Sequence, residues 1–156
     1  SVIERVRERV PEATVTTDIM VGFPTEGEEE FAETLGTAEK AGFAKAHVFR
    51  FSPRWGTQAD PLGDPVHPDV KKTRALVLSQ AVDSWAADLA EAKVGKTLRV
   101  ILEIKQDRDG LWEGMSDCGW AVKCPGPEGL GGALAWARVE RREGLQLFGS
   151  LTSAPR

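Results

Sequence analysis

The pattern of apolar and polar residues changes once along the chain, near Gly95: helices and strands alternate before it, and only strand signals follow it. Thr14–Phe23 is rich in β-branched residues and nearly continuously apolar toward its end, which is typical of a strand covered on both faces in a parallel sheet. Ala44–Phe51 is predicted to be a second strand. Segments with helical spacing flank and connect them. The predicted helices are Ser1–Val10, a segment from the capping box Thr25–Glu28 to Gly42, and Asp69–Ala92.

The strand–helix–strand order predicts two parallel strands joined by a right-handed crossover. Apolar residues mark the helix faces expected to pack, namely Phe31, Leu35 and Ala38 on the crossover helix and Leu78, Val82, Trp85 and Leu89 on the long helix. Two parallel strands do not make a closed domain. We therefore expect this part to be the end of a larger α/β sheet or barrel whose N-terminal portion lies outside the sequence.

After Gly95 the apolar residues alternate with period two. Thr97–Ile104 places Leu98, Val100, Leu102 and Ile104 on one face. Turn signals then separate further strand segments at Trp112–Cys124, Leu134–Arg141 and Leu145–Leu151. About five short strands in this length predict a small antiparallel β-barrel. The fold class is thus α/β followed by all-β, with part of a parallel α/β barrel in residues 1–94 and a five-stranded barrel in residues 95–156.

The composition of the chain argues against several classes of protein. The formal net charge is −4, with the acidic excess in the first 95 residues, which argues against a protein that binds nucleic acid by charge alone. No apolar run is long enough to span a bilayer, so a membrane protein is excluded and a cytoplasmic one expected. Two cysteines, Cys118 and Cys124, cannot by themselves hold an iron–sulfur cluster. With only two histidines, a complete metal site is not expected.

The ends of the two predicted parallel strands carry the candidate binding residues, because ligands of α/β folds meet the C-terminal ends of strands. Gly22 would let a ligand approach the backbone, Phe23 and Phe51 offer flat apolar surfaces, and Arg54 is suited to a carboxylate or phosphate. Asp18 would accept hydrogen bonds from the hydroxyl groups of a sugar. Each has a structural alternative. Gly22 and Phe23 would be a break between strand and turn, Arg54 a surface residue of a loop, and Asp18 a buried acceptor that anchors a turn.

Two motifs resemble a known family. TTDIMVGFPTE at 16–26 and HVFRFSPRWGTQA at 47–59 resemble the radical S-adenosylmethionine methylthiotransferases, and among them the tRNA-modifying branch that acts on N6-threonylcarbamoyladenosine next to the anticodon. The terminal barrel resembles the RNA-binding TRAM domain, with LWEGMSDCGWAV at 111–122 matching one of its segments. The sequence departs from the family at Thr25, where glycine is usual, and at Cys118 and Gly119, where asparagine and tyrosine are usual.

The resemblance implies a cofactor site along the strand ends. Asp18 would lie near the ribose of S-adenosylmethionine, Gly22 and Phe23 on its adenine side, and Phe51 and Ser52 along the same wall. Arg54 and Thr57 would belong to the loop over the active site. In the full-length enzyme the family uses S-adenosylmethionine and two 4Fe-4S clusters held by N-terminal cysteines. We therefore expect this chain alone to hold no metal, to contain no catalytic residue and to be inactive without the N-terminal part of the same polypeptide.

The resemblance also implies a tRNA partner, bound through the anticodon stem-loop. The residues expected to contact RNA are Lys96, Arg99, Trp120 and Lys123, with Lys105, Arg138, Arg141 and Arg142 as further cations and Trp112 and Trp136 as further aromatic rings. Alternatively, Trp136 and at least one other tryptophan fill the barrel core. Two other functions stay open: the ribosomal-protein branch of the same family, and a non-catalytic RNA-binding or interaction module.

Overall fold

The computed structural model describes residues 2–104 and 106–153, which form two compact units. Unit 1 comprises Val15–Ala86 together with residues 2–3. Unit 2 comprises Glu4–Thr14 together with the described residues from Ala87 onward. The chain begins with helix α1 (Val2–Arg9), and Ser1, the first residue of the predicted helix, lies outside the described residues.

Unit 1 contains a two-stranded parallel sheet with a helical crossover. Strand β1 is Thr16–Val21, helix α2 is Glu28–Ala41, strand β2 is Lys45–Arg50, and a 3₁₀ helix at Asp60–Leu62 precedes helix α3, which is Pro68–Glu91. Thr16 lies opposite Lys45 and Val21 opposite Arg50, with the strands pointing the same way. The predicted parallel strand–helix–strand unit is confirmed.

The helices of unit 1 cover one face of this sheet. The core consists of Val21, Phe31, Ala38, Leu78 and Val82, and Ile19, Ala46 and Val48 of the strands pack against it. The opposite face, which we call the open face, consists of alternate strand residues that are all exposed: Thr16, Asp18, Met20, Lys45, His47 and Phe49. The prediction that the first strand is covered on both faces is therefore wrong within the described chain.

Two details of the helices differ from the sequence prediction. The N-cap of helix α2 is Gly27 rather than Thr25, and the Glu30 carboxylate accepts the Gly27 N–H at 2.8 Å. On α3 the buried positions continue from Leu78 and Val82 to Ala86 and Ala90, whereas Leu89 is exposed. A spacing of four residues keeps these positions on one side of the helix.

Unit 2 is a closed five-stranded barrel. Its strands are β3 (Thr97–Leu102), β4 (Leu111–Ser116), β5 (Ala121–Pro125), β6 (Leu134–Glu143) and β7 (Gln146–Thr152), in the order β3-β4-β5-β7-β6. The predicted fold class, α/β followed by a small β-barrel, is confirmed. One pairing differs from an all-antiparallel barrel, because β5 and β7 run parallel, with Val122 opposite Leu147.

The barrel strands differ from the predicted strands at two places. Val100, Leu102, Val122, Val139 and Leu147 are completely or almost completely buried, but β3 ends at Leu102 and Ile104 is exposed. The predicted strand Trp112–Cys124 is two strands, because the chain turns at residues 117–120, where Gly119 has a φ of +82°. Over the described ranges, no helix has the length and apolarity needed to cross a membrane.

Candidate functional site at the carboxyl edge of the sheet

The carboxyl ends of β1 and β2 meet at one edge of the sheet in unit 1. The Phe51 N–H donates to the Val21 carbonyl at 2.9 Å and so ties the two strand ends together. The rings of Phe23 and Phe51 meet edge to face, with centroids 5.2 Å apart and planes at 75°. Phe51 is buried, whereas Phe23 is half-buried. The structure thus brings together the two aromatic residues, Phe23 and Phe51, that the sequence suggested as flat surfaces for an aromatic ring.

Gly22 lies at the start of the turn after β1 with a φ of +74°, a conformation that residues with a Cβ rarely adopt. A Cβ at this position would stand 2.1 Å from Cγ of Lys71. The sequence suggested that the missing side chain leaves room for a ligand. Instead, the Lys71 side chain fills that space, so packing within unit 1 already accounts for the glycine.

Lys71 ties the end of β2 to helix α3. It is buried, and its Nζ donates to the Phe51 carbonyl at 3.0 Å and to both carboxylate oxygens of Asp64 at 2.7 Å. Burial of a lysine is normally costly unless its ammonium group is paired and hydrogen-bonded, as it is here. The Lys71–Asp64 pair therefore fixes the loop that follows Phe51.

Arg74, one turn further along α3, ties down the end of β1. Its Nη1 donates to the Glu26 carbonyl at 2.9 Å and to Glu26 Oε2 at 2.8 Å, and its Nη2 donates to Glu28 Oε1 at 2.7 Å. Glu26 Oε2 also accepts the Gly22 N–H. The guanidinium lies 5.4 Å from the centroid of the Phe31 ring. One carboxylate therefore links α3 to the backbone at the end of β1.

The electrostatic state of this network follows from its burial. Burial alone lowers the pKa of Arg74, but the hydrogen bonds to the carboxylates of Glu28 and Glu26 outweigh that effect and leave the pKa above its ordinary value. The Nε of Arg74 is buried and has no hydrogen-bond partner within the described part of the chain. The network therefore holds a permanent positive charge beside the strand ends, compensated by two carboxylates.

The other candidate residues of unit 1 are more exposed. Asp18 lies on the open face, opposite His47 in the register of the sheet. Ser52 and Arg54 are exposed in the loop after β2. The Arg54 carbonyl accepts the N–H of Thr57 at 3.2 Å and its hydroxyl at 2.8 Å, so that Thr57 closes a turn. The assignment of these residues to a cofactor stays a prediction.

The cations expected to bind RNA from unit 2 are engaged with carboxylates. Lys96 pairs with Glu12 at 2.8 Å, Arg99 with Asp117 at 3.2 Å, and Lys123 with Asp107 at 3.0 Å. The pKa of Asp107 is lowered by the Leu111 N–H and then by Lys123. Lys105 lies outside the described residues. RNA would have to compete with these carboxylates for the cations.

The tryptophans of the barrel also limit the predicted RNA contacts. Trp120 and Trp112 are only 5 % and 3 % exposed, so they belong to the core and their faces are not free for stacking. Trp136 is half-buried. The alternative that tryptophans fill the core therefore holds for Trp112 and Trp120, and Trp136 keeps part of its surface. Elsewhere on the barrel, the Arg141 guanidinium lies 4.0 Å from the centroid of the Phe148 ring.

The described residues do not fit an iron–sulfur cluster. Among them, no group of three or more His, Cys, Asp or Glu side chains is placed to hold a metal ion. Cys124 is buried, which raises the pKa of its thiol, and Cys118 is partly exposed with its Sγ 3.4 Å from Ser116 Oγ. No catalytic step can therefore be assigned to a cluster held by these residues.

One exposed residue was missed by the sequence analysis. Trp55 lies in the turn formed by Arg54–Thr57, which we call the Trp55 turn, and is 94 % exposed. The signal was present in the sequence, because a glycine follows Trp55 at the position where a type II turn requires a positive φ. Gly56 indeed has a φ of +78°.

Comparison with known proteins shows which proteins this chain is similar to. No protein-family model matches the chain. A protein of Symbiobacterium thermophilum named tRNA-2-methylthio-N(6)-dimethylallyladenosine synthase is 37 % identical over 96 % of this chain. A Staphylococcus aureus protein of the same name is 33 % identical over 95 % of the chain, and one from Acidothermus cellulolyticus is 45 % identical over 65 % of it. The comparisons support the methylthiotransferase family for this chain.

The relatives are longer than this chain, and their names specify a different nucleoside from the one that the motifs predicted. The chain spans 32 %, 29 % and 20 % of the length of these three relatives. Their names give dimethylallyladenosine, whereas the sequence motifs predicted the threonylcarbamoyladenosine branch. The family expected from the motifs is supported, and the expected branch is not.

Proposed function

We propose that this chain is part of an enzyme that adds a methylthio group to an N6-dimethylallyladenosine of tRNA. The observation that carries the proposal is the extent of the similarity, which at 37 % identity covers 96 % of the chain and therefore runs through both units. The sheet of unit 1 would be the closing part of an α/β barrel, and unit 2 would be a TRAM-like barrel that contacts RNA. The boundary between these domains near residues 94 and 95 is part of the proposal.

The open face and carboxyl edge of unit 1 fit S-adenosylmethionine in their chemistry. Asp18 presents an exposed carboxylate that would accept hydrogen bonds from the ribose hydroxyls, and Met20 and Phe49 beside it are each about half exposed. Phe23, with Phe51 behind it, offers an apolar edge to the adenine. When bound, S-adenosylmethionine would supply the adenosyl and methyl groups that the methylthiolation requires. The iron–sulfur clusters would be held by parts of the enzyme other than the described residues.

Lys71 and Arg74 of α3 would support this site without touching the cofactor. Lys71 fixes the loop after Phe51 and Arg74 fixes the turn after Gly22. Both side chains are about 5 % exposed. Their part would be to hold the two strand ends, and with them Phe23 and Phe51, in one arrangement as substrate enters and leaves.

The test is the nucleoside content of tRNA in the source cells. Deletion of the complete gene is expected to remove the methylthio form of N6-dimethylallyladenosine and to raise its unmodified precursor, as measured by mass spectrometry of digested tRNA. Complementation with Asp18→Asn is expected to restore at least ten-fold less product than the parent gene, because an amide is a poorer acceptor for ribose hydroxyls than a carboxylate. Glu39→Gln, an exposed change on α2, is the matched control and should restore the parent level.

Three results would contradict the proposal. Loss of methylthio-N6-threonylcarbamoyladenosine instead would reassign the substrate nucleoside. A change in the mass of a ribosomal protein with unchanged tRNA would assign the protein-modifying branch. Unchanged tRNA and unchanged ribosomal proteins would leave a non-catalytic RNA-binding or interaction module.

A further inference from the structure

Trp55 is unusual among the tryptophans of the described chain because almost all of its side chain faces solvent. It is 94 % exposed, whereas Trp112 and Trp120 are buried, and Trp85 and Trp136 are half-buried. An indole ring carries a large apolar area that proteins usually bury in a core or in an interface. A tryptophan this exposed therefore marks a surface where a binding partner is expected.

The backbone on both sides of Trp55 is held by hydrogen bonds. The Arg54 carbonyl accepts the N–H and the hydroxyl of Thr57, and the Gly56 N–H donates to Asp60 Oδ2 at 3.3 Å. The Asp60 N–H in turn donates to the Thr57 carbonyl at 3.2 Å. These bonds place Trp55 at the outer corner of a type II turn. A ring presented on an ordered turn loses little entropy on binding, which favours contact.

Two cations close to Trp55 in the sequence indicate the partner. Arg50 ends β2 and Arg54 opens the turn, and both side chains are exposed. Within the described residues neither is in an ion pair, in contrast to Lys96, Arg99 and Lys123 of unit 2. Asp60, the nearest acid in sequence, already accepts the Gly56 N–H. Two unpaired guanidinium groups and one free aromatic face match a flexible, single-stranded polyanion with exposed bases.

We propose that the Trp55 turn is an RNA contact, in which Trp55 stacks on an unpaired base and Arg50 and Arg54 contact neighbouring phosphates. The inference rests on the proposed function and deepens it, because it gives the loop of the tRNA substrate a contact on unit 1 in addition to the barrel. A stacked ring tolerates any base, so this contact would contribute affinity and orientation rather than sequence discrimination.

The first experiment measures RNA affinity of the chain as it stands. A fluorescently labelled RNA anticodon stem-loop is titrated with the parent chain and three variants at low salt. Trp55→Ala is expected to weaken binding about ten-fold, and Trp55→Phe to retain most of the affinity, because a smaller ring still stacks. Leu62→Ala removes another exposed apolar side chain of the same loop and is expected to bind like the parent.

A second experiment asks whether the ring and the cations act as proposed. RNA should protect the exposed tryptophan fluorescence of the parent from acrylamide quenching, and Trp55→Phe should lack that protected component. Arg50→Gln and Arg54→Gln should each lower the slope of log affinity against log salt by about 0.7, the value for one phosphate contact on a single strand. Lys72→Gln, an exposed lysine on α3, is the control and should leave the slope unchanged.

Two outcomes would overturn the inference. Equal RNA affinity of the parent and Trp55→Ala would show that the base contact lies elsewhere and would leave a protein as the partner of this surface. Failure of the parent to bind the stem-loop even at low salt would exclude the RNA contact altogether. Neither result would by itself decide the proposed function, which is judged from the tRNA nucleosides of the deletion strain.

Discussion

At the scale of single residues, Gly22 shows how a position suggested for a ligand can be required by packing. Its φ of +74° and the Lys71 side chain together leave no space for a Cβ. The sequence identified the turn after β1 but did not place Lys71, which is 49 residues further along the chain, against it. Such long-range contacts are invisible to local patterns, and the same holds for Trp112 and Trp120, whose burial depends on barrel closure.

The Gly22 contact gives a direct stability prediction. Gly22→Ala should lower the free energy of unfolding by about 3 kcal/mol, because it adds left-handed backbone strain and a clash with Lys71. Gly36→Ala is the matched control, since Gly36 lies within α2 and a Cβ there meets nothing within 4 Å. That control should gain about 0.5 kcal/mol from helix propensity. Urea unfolding measures the stability of both variants, and equal unfolding midpoints for Gly22→Ala and the parent would contradict the packing role of Gly22.

Glu12 gives a prediction about pH. Hydrogen bonds from Lys96 and Lys93 lower the pKa of Glu12 from 4.5 to about 2. Because the folded-state pKa is the lower one, its stabilisation is complete above pH 4.5 and disappears as the pH falls toward 2. The Glu12 side chain is 61 % exposed, so the expected contribution is only about 0.5 kcal/mol.

The measurement is urea unfolding of the parent and Glu12→Gln at several pH values. The parent should be the more stable protein near pH 7, and the difference should vanish near pH 2. Glu8→Gln, an exposed change in α1, provides the control. A difference between the parent and Glu12→Gln that stays constant down to pH 2 would show that the two lysines do not act through the ionised carboxylate.

At the scale of elements, the sequence patterns predicted the strands and helices but missed the features that depend on contacts between side chains. The alternation of β3 followed from apolar spacing, because one buried face leaves a regular trace in the sequence. The parallel pair β1–β2 followed from the strand–helix–strand order. The N-cap of α2 was predicted two residues too early, at Thr25, since the Gly27–Glu30 hydrogen bond forms instead of the Thr25–Glu28 capping box. The polar side of α3 holds Lys71 and Arg74, whose burial no hydrophobic pattern indicates.

Helix α3 is expected to depend strongly on Arg74. Arg74→Met should lower the free energy of unfolding by about 3 kcal/mol, because it leaves the buried Glu26 carboxylate without its cation. The double variant Arg74→Met/Glu26→Gln should recover part of this loss, since no uncompensated charge is then buried. Lys72→Met, an exposed neighbour on the same helix, should change stability by less than about 0.5 kcal/mol. Equal stability of Arg74→Met and the parent would exclude the proposed link between α3 and the end of β1.

At the scale of the whole molecule, the two units differ in how complete they are. Unit 2 is a closed barrel with a buried core, whereas unit 1 has a covered face and an open one. The class of each unit could be predicted from the sequence, because the period changes near Gly95. The turn that divides the predicted strand Trp112–Cys124 into β4 and β5 was missed. The ion pairs of Lys96, Arg99 and Lys123 could not, since formal charge does not reveal which acid lies beside which base.

The cysteine content of the whole chain predicts how much iron it can bind. The sequence has two cysteines, and a 4Fe-4S cluster is commonly held by about four thiolates. Anaerobic reconstitution with iron and sulfide should therefore leave less than about one iron per chain after desalting, and no turnover of S-adenosylmethionine. Cys118→Ser provides a control for loose binding by the partly exposed thiol. Stable uptake of about four irons per chain would contradict the expectation.

The two-stranded sheet of unit 1 has a consequence for handling the molecule. Within the described chain, β1 pairs only with β2, so each strand keeps one edge of backbone amides and carbonyls with no neighbouring strand. Such edges recruit strands from other molecules, particularly where apolar side chains such as Met20 and Phe49 lie beside them. In concentrated solution, intermolecular β-sheet aggregation should therefore start from unit 1. The described strands of unit 2 form a closed barrel and leave no free edge with which another strand could pair.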